Sequence, residues 1–255
     1  MILTIEIGNS TITLGGIEGD DIRFECRINT DRVKTSDTYC IDLKTLFEIY
    51  GIGLETIEGV IISSVVPQVL NSVRTAIRKL LNVEPLVVGP GLKTGLNIRL
   101  ENPAQMGAGL VAADVAALRE YQPPMIIIDM GTATTLSVLD ENGAHLGGCV
   151  CPGMMVSLEA LTGKASLLPG IQLDRPERVL GRNTADAMRS GIMYGTASML
   201  DGMIDRFREE LGCDFTVLAT GGLAKRVVPL CRHEIVYDPY LIIKGLAALY
   251  RDNAR

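Results

Sequence analysis

The stretch ILTIEIGNSTITL, residues 2–14, has a counterpart in IIIDMGTATTLSV, residues 126–138. Both run through β-branched and apolar residues to an acid, one apolar residue and a glycine. Small hydroxyl or amide residues follow, and then β-rich sequence leads to a glycine pair, Gly15–Gly16 in one and Gly147–Gly148 in the other. A β run, turn residues and a second β run predict a strand–turn–strand hairpin in each place. The two acids, Glu6 and Asp129, stand 123 positions apart in a chain of 255 residues. Self-similarity at close to half the length predicts a duplication, with one half over 1–120 and the other over 121–255.

Away from the hairpins the periodicity changes. Residues 36–50 and 67–82 alternate as amphipathic helices, and 57–66 (IEGVIISSVV) reads as a buried strand stopped by Pro67. An alanine-rich helix is predicted over 107–121, a long one over 184–211, a strand over 214–219 and a closing helix over 241–251. Strands alternating with helices give an α/β fold, helices packed on mixed sheets. No Pro/Ser-rich linker divides the halves, so they are expected to form two lobes around a cleft. Residues 168–182 are the longest stretch without a pattern.

Composition narrows the function. Lys and Arg total 24 against 30 Asp and Glu, a net charge of −6, and the pI is about 5.1. That balance argues against a basic nucleic-acid groove. With 47% hydrophobic residues and a mean hydropathy of +0.26, a packed core is expected. No apolar run is long enough to span a membrane, and the amino terminus lacks a secretory pattern, so a cytoplasmic protein is expected. The six cysteines form no CxxC pair and there are only two histidines, which leaves no zinc-ligand spacing. Cys149 and Cys151 would share one strand face as buried structural thiols in a reducing compartment.

An acid–glycine–hydroxyl hairpin can do chemistry. A tight turn turns several backbone N–H groups outward together, a cradle for phosphate oxygens, and Gly8 or Gly131 lets a ligand approach the backbone. Asn9, Ser10, Thr132 and Thr134 can add hydrogen bonds, and the carboxylate can hold a cation directly or through water. One such turn is an ordinary hairpin; two at half-chain spacing point to a clamp on a nucleotide's phosphates. The segment VLATGGLAKRV (217–227) adds a strand that runs into Thr220-Gly221-Gly222 and a helix, where bare backbone can meet a ligand. It is neither a Walker loop nor a dinucleotide fingerprint.

Taken in order, EIGNST (6–11), SSVVP (63–67), NPAQMGAG (102–109), DMGTATT (129–135), GGCVCPG (147–153), GRNTADAMRSG (181–191), TGGLA (220–224) and DPYLIIKGL (238–246) resemble the type III pantothenate kinases. These belong to the acetate and sugar kinase/heat-shock ATPase/actin superfamily. The resemblance implies a duplicated ribonuclease H-like (actin-like ATPase) fold around a nucleotide cleft. It implies ATP-dependent phosphorylation of pantothenate, the first step of coenzyme A synthesis. By position, Glu6, Gly8, Asn9, Ser10, Thr132 and Thr134 would serve Mg-ATP, with Glu6 on Mg²⁺ directly or through water. Gly221 and Gly222 would lie near the nucleoside, and Asp129 would hold a monovalent cation, K⁺ or NH₄⁺. Gly107, Ala108, Gly109 and Leu110 would meet pantothenate, as would Thr184 across a subunit interface. Thr184 also suits the N-cap of a helix from Ala185.

The departures fall on the acceptor side. Where the family has Asp in the first hairpin this chain has Glu6, and where it has Gly-Ala-Asp-Arg this chain reads Gly107-Ala108-Gly109-Leu110. That Asp is the family's general base and that Arg lies by the acceptor carboxylate, so no catalytic residue stands intact at those positions. Asp114, five residues on, is rotated about 140° around the helix and points elsewhere. Three readings follow: a pantothenate kinase, a nucleotide-binding subunit that completes or regulates a catalytically complete paralogue, and a kinase for an acceptor without a carboxylate. Met188, Gly191, Ile192, Gly195, Met199, Gly202 and Met203, spaced by three and four, fit either a core face or a homodimer or heteromer seam; the resemblance favours the seam.

Overall fold

The computed structural model describes residues 1–254. In chain order the elements are β1 (Ile2–Ile7), β2 (Thr11–Glu18), β3 (Asp21–Asn29), α1 (Ser36–Ile49), β4 (Gly59–Ser64), α2 (Pro67–Leu81), β5 (Leu86–Val87) and α3 (Ala108–Glu120). Then come β6 (Met125–Met130), β7 (Ala133–Leu139), β8 (His145–Pro152), α4 (Met154–Lys164), α5 (Thr184–Leu211), β9 (Thr216–Thr220), α6 (Ala224–Val227), β10 (Val236–Tyr237) and α7 (Leu241–Asn253). They form two compact units, each with one five-stranded mixed sheet.

The sheets have the same topology. The first runs β3-β2-β1-β4-β5 and the second β8-β7-β6-β9-β10. In each, the hairpin and the strand after it are antiparallel, and the central strand pairs in parallel with the strand that follows a crossover. Each unit is thus a ribonuclease H-like sheet with helices, and the chain carries the arrangement twice. The copies differ in their turns: three residues (8–10) separate β1 from β2, and two (131–132) separate β6 from β7.

Side-chain alternation divides each central strand between two tasks. Leu3, Ile5 and Ile7 of β1 are buried in one core with Tyr39, Leu43 and Phe47 of α1 and Val69, Val73 and Ile77 of α2. Ile126, Ile128 and Met130 do the same in the second unit with Met193, Ala197, Leu200 and Ile204 of α5. The alternate residues, Glu6 and Asp129 among them, face the other side. Helix limits follow local chemistry. Pro67 opens α2, where its missing N–H costs nothing, and Asn82 closes it in the left-handed region at φ 53°. Asn183 caps α5, accepting from the Asp186 N–H at 2.9 Å, and Gly212 ends it at φ 68°. The cap is therefore Asn183, and Thr184 is the first helical residue.

The division near residue 120 has two exchanges. Asn97–Leu100 pack with the second unit, and the chain from Tyr240 onward packs with the first. The reason for the second exchange is steric fit. Helix α7 lies against α3 so closely that a Cβ on Gly245 would sit 1.8 Å from the Ala112 carbonyl oxygen. Its end is pinned by Asn253, whose side chain accepts from Lys93 N–H at 2.9 Å and donates to Lys93 C=O at 2.8 Å. Cys149 and Cys151 do share a face of β8, but both are half-buried rather than fully buried. No helix among the described residues is long and apolar enough to cross a membrane.

Candidate functional site

In the first unit, the turn after β1 is closed by Gly8 N–H donating to Thr11 C=O at 2.9 Å. A Cβ on Gly8 would stand 3.1 Å from that oxygen, so the turn has little room for any other residue. Thr30, at the end of β3, braces it from below. Its hydroxyl donates to Gly8 C=O at 2.7 Å and its N–H donates to Ser10 C=O at 3.0 Å. Asn9 and Ser10 are exposed at the tip, and Arg32 Nη2 donates to Asn9 Oδ1 at 3.3 Å. An exposed guanidinium on this turn is what a phosphate-binding loop can use. Sequence reasoning passed over Arg32 because it follows β3, 23 residues from Asn9 and outside every motif.

Glu6 is the penultimate residue of β1. It is paired with Thr13 on β2 and with Ser63 on β4, so the three side chains share one face. Ser63 is buried, and its Oγ has no hydrogen-bond partner. The Glu6 carboxylate reaches the first turn of α3: a Cβ on Gly109 would lie 3.4 Å from Glu6 Oε1 and near no other group outside the helix. Gly107, Ala108, Gly109 and Leu110 are half-exposed there, whereas Asp114 is fully buried. Asp114 therefore has no part in this surface, as its rotation predicts.

The second unit repeats the plan. Asp129 is penultimate in β6 and is paired with Thr135 on β7 and Thr220 on β9. Burial pushes its carboxyl up to about 6, because a charge removed from water is disfavoured. Thr135 Oγ1 is buried with no hydrogen-bond partner. A desolvated carboxylate beside an unsatisfied oxygen is a donor set that fits a weakly hydrated monovalent cation. Thr134, the residue expected to reach the nucleotide, is instead buried on the opposite face, paired with Met130. The face of Asp129 belongs to Thr135, a position that the two-residue turn sets and the motif alone does not reveal.

Thr132 is exposed at the tip of this turn. Gly131 N–H donates to Ala133 C=O at 3.0 Å, and Gly153 N–H to Thr132 C=O at 3.1 Å. Gly153 is packed so tightly that a Cβ would be 2.3 Å from the Thr132 oxygen; the end of GGCVCPG thus fixes the turn. Gly221 is in the left-handed region at φ +95°, and a Cβ there would meet the Met130 oxygen at 2.6 Å. Both constraints demand glycine, and they leave Gly222 exposed. The helix after it is short, four residues. Thr184 is exposed at the start of α5. A cavity of about 510 Å³ lies next to it, lined by Arg175, Arg178, Arg182 and Arg189 with Asp174, Glu177 and Asp186; none of the expected nucleotide residues line it.

A family model described as type III pantothenate kinase matches residues 2–206. A type III pantothenate kinase of Exiguobacterium sp. is 43% identical over 255 residues, all of both chains. Among solved structures, a conserved Baf family protein of Campylobacter jejuni superposes with a TM-score of 0.61 at 17% identity, covering 98% of each chain. Component A of (R)-2-hydroxyglutaryl-CoA dehydratase from Acidaminococcus fermentans gives 0.56 at 15% identity, covering 100% of this chain and 99% of the other. At such identities the last two show the shared fold alone.

Proposed function

This chain belongs to the type III pantothenate kinase family, and from that premise we propose which of its residues carry out the ATP-dependent phosphorylation of pantothenate. The reading rests on one observation above the others: two acid-bearing hairpins occupy matching registers in sheets of identical topology. Phosphoryl transfer asks a protein mainly to position its reactants and stabilise charge. The backbone of the 8–10 turn, Asn9, Ser10 and Arg32 bind the phosphates of Mg-ATP, and Thr132 does so from the other turn. Gly221 and Gly222 offer flat backbone to the nucleoside.

Asp129 and Thr135 hold the monovalent cation, K⁺ or NH₄⁺. When bound, that cation neutralises a buried charge and offsets the negative charge of the phosphates. Gly107–Leu110 form the acceptor surface, and Thr184 reaches the acceptor site of a second subunit. Gly191 and Gly195 of α5 face outward with open space around them, which supports a dimer along that helix. A cytoplasmic location suits water-soluble substrates of this kind.

Coupled assay of ADP release tests the reading. Release should require pantothenate, and release indifferent to pantothenate would defeat it. One observation favours a second reading: Gly109 and Leu110 supply neither a carboxylate nor a cation. In that case the chain completes a paralogue carrying Gly-Ala-Asp-Arg. Mixing the two would then restore turnover absent from this chain alone, and Thr184→Ala here would lower it.

A further inference from the structure

The segment between α4 and α5 has neither helix nor strand, yet it is held at four points. Leu173 belongs to the second core, and its carbonyl accepts from Arg226 Nη1 at 2.8 Å. Pro176 is buried. The Val179 carbonyl accepts from the Ser190 hydroxyl of α5. Gly181 lies so close to α5 that a Cβ would stand 2.3 Å from the Ala187 nitrogen. Between these anchors Arg175, Arg178 and Arg182 are exposed, and all three line the cavity of about 510 Å³ beside Thr184. That volume is ordinary for a small-molecule site.

Charge decides what the cavity can take. Arg189, also in its wall, is occupied: Nη1 donates to Asp186 Oδ1 at 2.9 Å and Nε to the Gln172 carbonyl at 3.1 Å. Among the described residues, Arg175, Arg178 and Arg182 have no hydrogen bond or ion pair, although Asp174 and Glu177 share the cavity with them. The groups left open are three guanidiniums and two carboxylates, one positive charge in excess. A polyphosphate needs a larger excess. A monoanion fits if it also carries hydrogen-bond donors for the two acids, and pantothenate has one carboxylate, an amide N–H and two hydroxyls. Gly107–Leu110 offers that carboxylate no cation, and a carboxylate taken from water unpaired is costly.

We propose that Arg175, Arg178 and Arg182 form the site for the acceptor's carboxylate, brought to a second subunit together with Thr184. The proposal rests on the pantothenate kinase reading and on the role given there to Thr184. Guanidinium forks pair with a carboxylate through charge-assisted hydrogen bonds, and a segment anchored on both sides of each arginine lowers the entropy cost of doing so. In pantothenate the carboxylate is at the end opposite the hydroxyl that receives phosphate. A cavity that shares no residue with the nucleotide turns agrees with that separation. The cation that Leu110 cannot supply thus comes from a different part of the chain.

The test is steady-state assay of the full chain with two acceptors, pantothenate and its alcohol analogue, in which CH₂OH replaces the carboxylate. The parent should prefer pantothenate in kcat/KM by at least about tenfold, the scale of one lost charge-assisted hydrogen bond. With Arg175→Ala, Arg178→Ala and Arg182→Ala combined, that preference should fall below about threefold. The loss should appear as a raised KM for pantothenate, with turnover of the alcohol and KM for Mg-ATP changed less than about threefold. A merely structural role for the segment would slow both acceptors alike and leave the preference intact, which overturns the proposal. A parent that uses the two acceptors equally well overturns it too. Should the triple variant not fold, the single variants decide: at least one must lower the preference, and three unchanged preferences overturn the proposal. A parent chain with no turnover that depends on pantothenate overturns the kinase reading and this inference together, and the parent assay alone tells that outcome from the others.

Discussion

The carboxyl of Asp129 is held at about 6 by burial alone, well above the ordinary aspartate value near 3.9. A group whose pKa is raised on folding stabilises the fold below its unfolded pKa and loses that contribution as pH rises through the folded value. Without a cation, the penalty develops between about pH 4 and pH 6 and reaches about 3 kcal/mol at neutrality. A bound K⁺ or NH₄⁺ would favour the ionised carboxylate and remove it. Melting temperature at pH 7.5 should therefore rise with KCl or NH₄Cl above the rise seen with a bulky quaternary ammonium chloride. The excess should vanish at pH 4.5 and in Asp129→Asn. An equal response to all three salts would show that Asp129 is not a cation ligand. At this scale the sequence was informative in part. Glu6, Asp129 and the exposed tips Asn9, Ser10 and Thr132 could be read from the repeated motif. Thr135 and Arg32 could not, because strand register and a turn one residue shorter decide which hydroxyl joins the acid.

Close approach governs the elements. Alanine normally improves on glycine inside a helix by about 1 kcal/mol, but Gly245 of α7 faces the backbone of α3, where a Cβ would overlap the Ala112 oxygen. Gly245→Ala should destabilise the chain by about 1–3 kcal/mol, the usual cost of overpacking. Urea denaturation would read this as a lower midpoint with an unchanged slope. A stability equal to or above the parent's would show that α3 and α7 do not meet as described. The principal helices were legible because apolar spacing and Pro67 are local signals; the cap of α5 was placed one residue late, at Thr184 instead of Asn183. β3 could have been read from the alternation of Ile22, Phe24, Cys26 and Ile28, which point inward. β5 and β10, two residues each, have no local signature. The return of α7 to the first unit was hidden as well, since the contacts that specify its partner, such as the fit of Gly245 on the Ala112 backbone, join residues 133 positions apart.

For the whole molecule, the outward face of α5 and the acceptor side of the site carry the remaining claims. Met188 turned out to be a core residue of the second unit, while Gly191 and Gly195 remain outside and exposed. The sequence stripe therefore combined two faces of one helix, and only the glycine face is available to another subunit. If it seats a second copy, Gly195→Leu should shift the light-scattering mass at micromolar concentration from dimer towards monomer, and a parent chain that is monomeric there would end the dimer reading. The central claim is that this chain, despite Gly109 and Leu110, phosphorylates pantothenate. Its most direct measurement is mass spectrometry of the products formed by the purified chain alone with Mg-ATP, K⁺ and pantothenate. The account predicts 4′-phosphopantothenate and ADP in equal amounts. ADP without phosphopantothenate, or neither product until a second kinase subunit is added, would contradict it.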